Sequence, residues 1–222
     1  MEYGEDVRTV VDAWDWETRL LHWVNMLLIV TLVLLVIGKE GMEIIGIDKT
    51  LRAPVKKLHA YIGHVFAITF FLRVIWGFVG SKYAKWSDII PCRREQWQAI
   101  GKTIRWYLSG FRATPVKSVG HDPLAAIFYA ALFLVLASQV ITGMLLSGME
   151  FKTFPGVLFV GGLSAASRKA LDGALGEAHE FGFWFIIFFI CAHIAGLVAH
   201  EIKEKTGLFS SMIHGKKYFH KE

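Results

Sequence analysis

The chain has 222 residues, 54% of them hydrophobic, with a mean hydropathy of +0.44 and a formal net charge of +5. That composition is too apolar for an ordinary soluble domain and points to a membrane protein. The surplus of Lys and Arg sits in short loops beside apolar stretches, where it sets membrane topology, so nucleic acid is not an expected partner.

An acidic leader (Glu2, Glu5, Asp6, Asp12, Asp15, Glu17) opens the chain and lacks the basic n-region of a cleaved signal peptide. Crossing a hydrocarbon core of roughly 30 Å takes about 20 apolar residues. The stretches 20–37, 58–79, 124–146 and 181–199 meet or nearly meet that length. The expected fold class is therefore an all-α membrane protein, a four-transmembrane-helix bundle forming a single domain over residues 1–222. Between the second and third spans, CRREQWQAIGKTIRWYLSGF places Trp97, Ile100, Ile104 and Leu108 at helical spacing, with Arg93, Arg94, Lys102 and Arg105 between them. This reads as an amphipathic interfacial helix lying on the membrane surface, serving to position the bundle, to dock a partner or to border a quinone vestibule. Leader, second loop and tail together hold 15 Lys and Arg, against 8 in the other two loops. The positive-inside rule then places both termini in the cytoplasm. Cys92 and Cys191 are too differently placed to suggest a disulfide or a metal site, and no strand pattern stands out.

The nine histidines carry the chemistry. His214 and His220 lie in the polar tail and His121 in a GHDP turn; the rest, His22, His59, His64, His179, His193 and His200, stand at or inside spans. A histidine at membrane depth is costly unless the protein or something bound inside it takes up the ring. His179 and His193 are separated by 14 positions, which on a helix returns to within about 40° of the same direction and rises about 21 Å. They share a face, one near each membrane surface, and suit two stacked sites. His200 lies only about 20° further round from His193, but beside Glu201 and Lys203, where snorkelling to the interface is its expected fate. His59 and His64 differ by about 140°, so only one of them is expected to face the bundle interior. With the chain starting inside, His22 pairs in depth with His193 toward the cytoplasm, and His59 pairs with His179 toward the opposite surface.

Zinc would want four protein ligands, and a di-iron centre several inward glutamates; neither set is present at those depths. Haem fits, because the porphyrin supplies four nitrogens, the protein supplies two axial histidines, and the macrocycle is apolar. Two b-type haems are expected, His22 and His193 binding the cytoplasmic iron and His59 and His179 the periplasmic one. No CxxCH occurs, so covalent attachment is not expected. Arg73, inside the second span, has to find a haem propionate, a quinone carbonyl or a structural partner. Arg19, Lys56 and Lys57 stand at depths suited to propionates, where Lys and Arg also occur as ordinary boundary residues.

Several stretches together resemble a known family: RLLHW (19–23), KLHAYIGHVF (57–66) followed by FLRVIWGFVGSKY (71–83), IRWYL (104–108), GHDP (120–123) and HEFGFW (179–184) with its second histidine at 193. The chain resembles the bacterial di-haem cytochrome b561 superfamily over nearly its whole length, and within it most closely the B-type cytochrome subunit of Ni/Fe-hydrogenases. The resemblance implies four transmembrane helices carrying two haems b, ligated by His22, His59, His179 and His193. It also implies electron transfer between a periplasmic redox partner (hydrogenase, other dehydrogenase or reductase, or c-type cytochrome) and quinone in a bacterial inner membrane. The chain would then be an electron-transfer subunit of an oxidoreductase complex, with a homodimer within that complex as a further expectation. Two rivals belong to other classes: a stand-alone quinol oxidoreductase using a small oxidant, and a histidine-lined proton or metal transporter. Quinol turnover without a partner would mark the first, and a colourless protein the second.

Overall fold

The computed structural model describes residues 8–113 and 116–220. It is an all-α membrane protein in which four helices are long and apolar enough to cross a bilayer: α1 (Trp16–Ile44), α2 (Lys49–Val79), α5 (Pro123–Phe151) and α7 (Ala165–Glu204). Shorter helices are α3 (Trp86–Ile89), α4 (Arg94–Leu108), α6 (Gly156–Val160) and α8 (Leu208–His214), and two strands, β1 (Arg8–Asp12) and β2 (Lys216–His220), complete the order. On the four long helices, large apolar side chains such as Leu27, Phe71, Leu134 and Phe181 are more than half exposed. That surface suits contact with lipid rather than water.

Each long helix outruns the apolar stretch read from the sequence, and α7 does so most. Its 40 residues make about 60 Å of helix, twice the roughly 30 Å hydrocarbon core. Hydropathy marks only the lipid-facing length; the helix itself ends where a cap ends it. Asp15 accepts the Thr18 amide at 2.6 Å at the start of α1, and Asp122 accepts the amides of Leu124 and Ala125 at 2.9 and 3.0 Å, with Pro123 at the first position of α5. The GHDP turn is thus a helix start. At the end of α1, Gly46 takes φ +77° while Ile47 N donates to Met42 O and Gly46 N to Glu43 O. That is a Schellman stop, which needs a residue tolerant of the left-handed region. Asp48 then caps α2 through Thr50 N at 2.8 Å, so the α1–α2 connection is only a few residues long.

The chain divides into two compact units. The first, which holds both termini, comprises residues 1–20, 73–131 and 189–222; the second comprises 21–72 and 132–188. Their boundaries fall inside α1, α2, α5 and α7, none of which is interrupted there.

In the first unit, β1 and β2 pair antiparallel from Arg8↔His220 to Asp12↔Lys216, a sheet the sequence reading did not contain. It sets residues 8–12 beside residues 216–220. Gly215, at φ +87°, precedes β2, and its carbonyl accepts the amides of Ala13 and Trp14 at 2.8 and 3.0 Å. A Cβ there would stand 2.6 Å from Trp14 O. Helix α4 is amphipathic as expected, but the face divides differently: Ile100, Thr103 and Trp106 are buried in the protein, while Trp97, Ile104 and Leu108 are exposed among Arg94, Lys102 and Arg105. Ile100 therefore belongs to the packed side rather than with Trp97. In the second unit, Gly148 and Gly156 allow α6 to lie backbone to backbone on α5.

Candidate functional site

The second unit brings the rings of His59 of α2 and His179 of α7 close together. Their ring centroids are 6.3 Å apart with planes inclined at 78°. His59 Nδ1 lies 3.2 Å from the Leu32 carbonyl, which can only accept, so Nδ1 carries the proton. His179 Nδ1 lies 2.8 Å from Thr142 Oγ1, and that hydroxyl donates to Ser138 O at 2.7 Å. Toward His179 the hydroxyl therefore accepts, and Nδ1 again carries the proton. Both imidazoles are left with an Nε2 lone pair, and neither Nε2 takes a hydrogen bond among the described residues. Gly143 admits the His179 ring against α5; a Cβ there would come 3.2 Å from Cε1.

Both rings border a cavity of about 630 Å³ lined mostly by apolar side chains of α1, α2, α5 and α7. That volume is in the range that holds a cofactor-sized molecule. Metal–imidazole bonds are about 2 Å long, so two in line through one metal, with the ring radii added, put centroids roughly 6 Å apart. The observed 6.3 Å separation matches that span. Among the described residues no three His, Cys, Asp or Glu side chains group into a metal-ion site. A porphyrin needs no such group, since it brings four nitrogens and asks only for axial ligands. Nδ1–H donation to a protein oxygen is also the usual device that fixes the tautomer of a metal-binding histidine.

His64 borders the same cavity, although helix geometry alone had set it apart from His59. Its Nδ1 lies 2.7 Å from Ala60 O and its Nε2 3.0 Å from Phe154 O, so both nitrogens already face protein carbonyls. Lys56 borders the cavity too and pairs with Glu150 at 2.5 Å. Lys57 instead lies over the Tyr61 ring, 5.7 Å from its centroid. His22, on α1 in this unit, is half-buried with its ring 5.4 Å from that of Trp23.

The remaining histidines belong to the first unit. His193 of α7 stacks on Phe189 at 5.7 Å and 9°, and its Nδ1 meets the Tyr129 hydroxyl at 3.2 Å. Its Nε2 has no hydrogen bond among the described residues. His200 does not snorkel: it is 8% exposed. Glu204 accepts from its Nδ1 at 2.9 Å, so the Tyr107 hydroxyl donates to its Nε2 at 2.8 Å and the lone pair is spent. Burial also pushes the Tyr107 hydroxyl up to about 12. His121, expected in an open turn, is enclosed between Trp14 and Tyr129 and donates to Asp88 at 2.6 Å. Burial pulls it below the usual histidine range against the opposing pull of Asp88.

Arg73 reaches the backbone carbonyl of Ala84 at 3.4 Å and lies over the Trp86 ring. Arg19 ties the start of α1 to the Ile213 carbonyl of α8. Both have structural partners within the first unit. Sequence reasoning missed Lys217, which reads as one more tail charge beside Lys216. It is 3% exposed, lies over Trp14 and donates to Gly120 O at 2.8 Å, and burial pulls its ammonium down to about 8. It also missed Thr142, whose neighbours in the sequence give no hint that it faces a histidine 37 residues on.

Comparison with known proteins gives a consistent result. The family model described as prokaryotic cytochrome b561 matches residues 13–215. A probable Ni/Fe-hydrogenase B-type cytochrome subunit of Azotobacter vinelandii is 30% identical over 225 residues, covering 96% of this chain and 90% of the relative. Its counterpart in Bradyrhizobium diazoefficiens is 29% identical over 220 residues, covering 96% and 87%. The probable Ni/Fe-hydrogenase 1 B-type cytochrome subunit of Escherichia coli K12 is 27% identical over 205 residues, covering 89% and 86%. No solved structure matches the chain.

Proposed function

The chain belongs to the prokaryotic cytochrome b561 family, a b-type haem protein that carries electrons in a bacterial membrane, and we propose that it links a periplasmic redox partner to the quinone pool through two haems. The relatives' names make a Ni/Fe-hydrogenase the leading partner. The whole chain acts as one membrane domain with both termini in the cytoplasm, which agrees with the basic second loop and tail.

The observation that carries the reading is the pair His59 and His179, facing across the cavity with both Nδ1 protons donated to protein oxygens. These two residues would hold the periplasmic iron; His22 and His193 would hold the cytoplasmic one. A bound haem supplies a one-electron couple at each position. Leu32 O and Thr142 fix the ring orientation of their histidines, Tyr129 does the same for His193, and Gly143 makes room for His179. The apolar walls of the cavity would keep water from an iron held there, which would tune its potential. Arg73 and Arg19 serve the framework, and His64 and His200 stay with their protein partners.

The test is redox exchange in vesicles. Purified cytochrome in quinone-containing vesicles should be reduced by quinol, but should sustain turnover only when a partner such as hydrogenase is added. Sustained quinol oxidation by a small oxidant with no partner present would favour a stand-alone oxidoreductase instead.

A further inference from the structure

The connection between α1 and α2 and its flanks carry five basic residues: Lys39, Lys49, Arg52, Lys56 and Lys57. Only Lys39 and Lys56 border the cavity. Their side chains are 31% and 54% exposed, so both stand where the cavity meets solvent. Position on the helices reinforces this. Lys56 comes three residues before His59, one turn away or about 4.5 Å along α2. Lys39 comes seven after Leu32, whose carbonyl orients His59, and so lies on the same face two turns or about 10 Å along α1. Each lysine has a carboxylate beside it that also borders the cavity: Glu40 lies 2.7 Å from Lys39 Nζ, and Glu150 lies 2.5 Å from Lys56 Nζ.

Cationic side chains at the end of a membrane helix are ordinary, and that alone explains Lys49, Lys57 and Arg52, the last of which pairs with Glu43. It does not explain why two lysines from different helices flank the opening of an apolar cavity. A b-type haem is apolar except for two propionate carboxylates on one edge. We propose that Lys39 and Lys56 clamp those two propionates, one each, and so orient the haem held by His59 and His179 with its charged edge toward the opening. The inference rests on the haem reading of that pair. Partly exposed ion pairs contribute little stability, so Glu40 and Glu150 can release their lysines to a propionate and turn to water at small cost. The two glutamates are then competitors that hold the lysines in place until haem arrives.

Opposite signs on the two sides of each pair make this testable. Haem loss from the detergent-purified cytochrome to an excess of apomyoglobin gives a retention rate, and spectroelectrochemistry gives the midpoint potential of each haem. Lys39→Met and Lys56→Met should each speed the loss of one haem by about two- to fivefold and lower that haem's midpoint potential, because removing a cation favours the ferric form. Lys56→Arg should restore both properties, and Glu150→Gln should slow the loss. A plain structural role for Lys56 would give no gain in Glu150→Gln and no change in potential. Unchanged retention and potential in both Met variants would overturn the clamp. If His59→Ala removes that haem while the lysine variants behave as the parent, the clamp fails alone. If His59→Ala keeps it, the haem reading fails first.

Discussion

In the unit that holds the cavity, His59 and His179 give their Nδ1 protons to oxygens, and among the described residues neither Nε2 takes a hydrogen bond. In the unit that holds the termini, His200 is just as firmly hydrogen-bonded, yet Tyr107 and Glu204 between them consume both of its nitrogens. Burial is thus no guide to which histidine can take a metal; the unspent lone pair is. His193 shows why the distinction matters along a single helix. It lies seven residues from His200 on nearly the same face, but among the described residues its polar contact is at Nδ1 alone.

Replacing these two histidines in turn gives the largest effect that could break the comparison. His193→Ala should lose one of two haems, seen as a halved pyridine haemochrome yield, and electron transfer across the bilayer should stop. His200→Ala should keep both haems, since its ring serves Tyr107 and Glu204. Loss of a haem with His200 and not with His193 would reverse the assignment.

A smaller effect probes the groups that orient the ligands. Thr142→Val keeps the side-chain shape and removes the acceptor for His179 Nδ1–H. Loss of such an outer hydrogen bond typically costs about 10–100-fold in metal affinity. Haem retention at one site should weaken by about that factor, and Tyr129→Phe should weaken the other site instead. Equal weakening of both haems by Thr142→Val would show that the two positions are not separately supported.

The smallest effect belongs to Lys217, which ties the terminal sheet to Gly120 O. Burial lowers its ammonium from 10.5 to about 8 in the folded chain. Between those values the unfolded chain binds more protons, so stability should rise with pH across that window. Below pH 8 both states are protonated and no slope arises from this group. Lys217→Met should flatten the rise, as read from thermal unfolding between pH 8 and 10.5.

Much of this arrangement was legible beforehand, for identifiable reasons. Apolar length marks a membrane helix, and helical periodicity placed His179 and His193 on one face. Depth along the spans set His59 beside His179, and their rings stand 6.3 Å apart. What the sequence hid depends on long-range contact. β1 and β2 are five residues each, lack strong alternation, and pair next to the contact of Arg19 in α1 with the Ile213 carbonyl of α8. The first turns of α7 are Gly- and Ala-rich and lie outside the apolar stretch 181–199, although Ala is the best helix former and the structure continues the helix through them. Thr142, Tyr129 and Lys217 look like any other span or tail residue until a partner many residues away is known.

The central question is whether His59 and His179, not His64, define a haem site at the cavity. Haem content of purified His59→Ala and His64→Ala measures it directly. The prediction is one haem per chain in His59→Ala, with a loss of the bis-histidine spectrum at that site, and two in His64→Ala. Two haems in His59→Ala together with one in His64→Ala would contradict it.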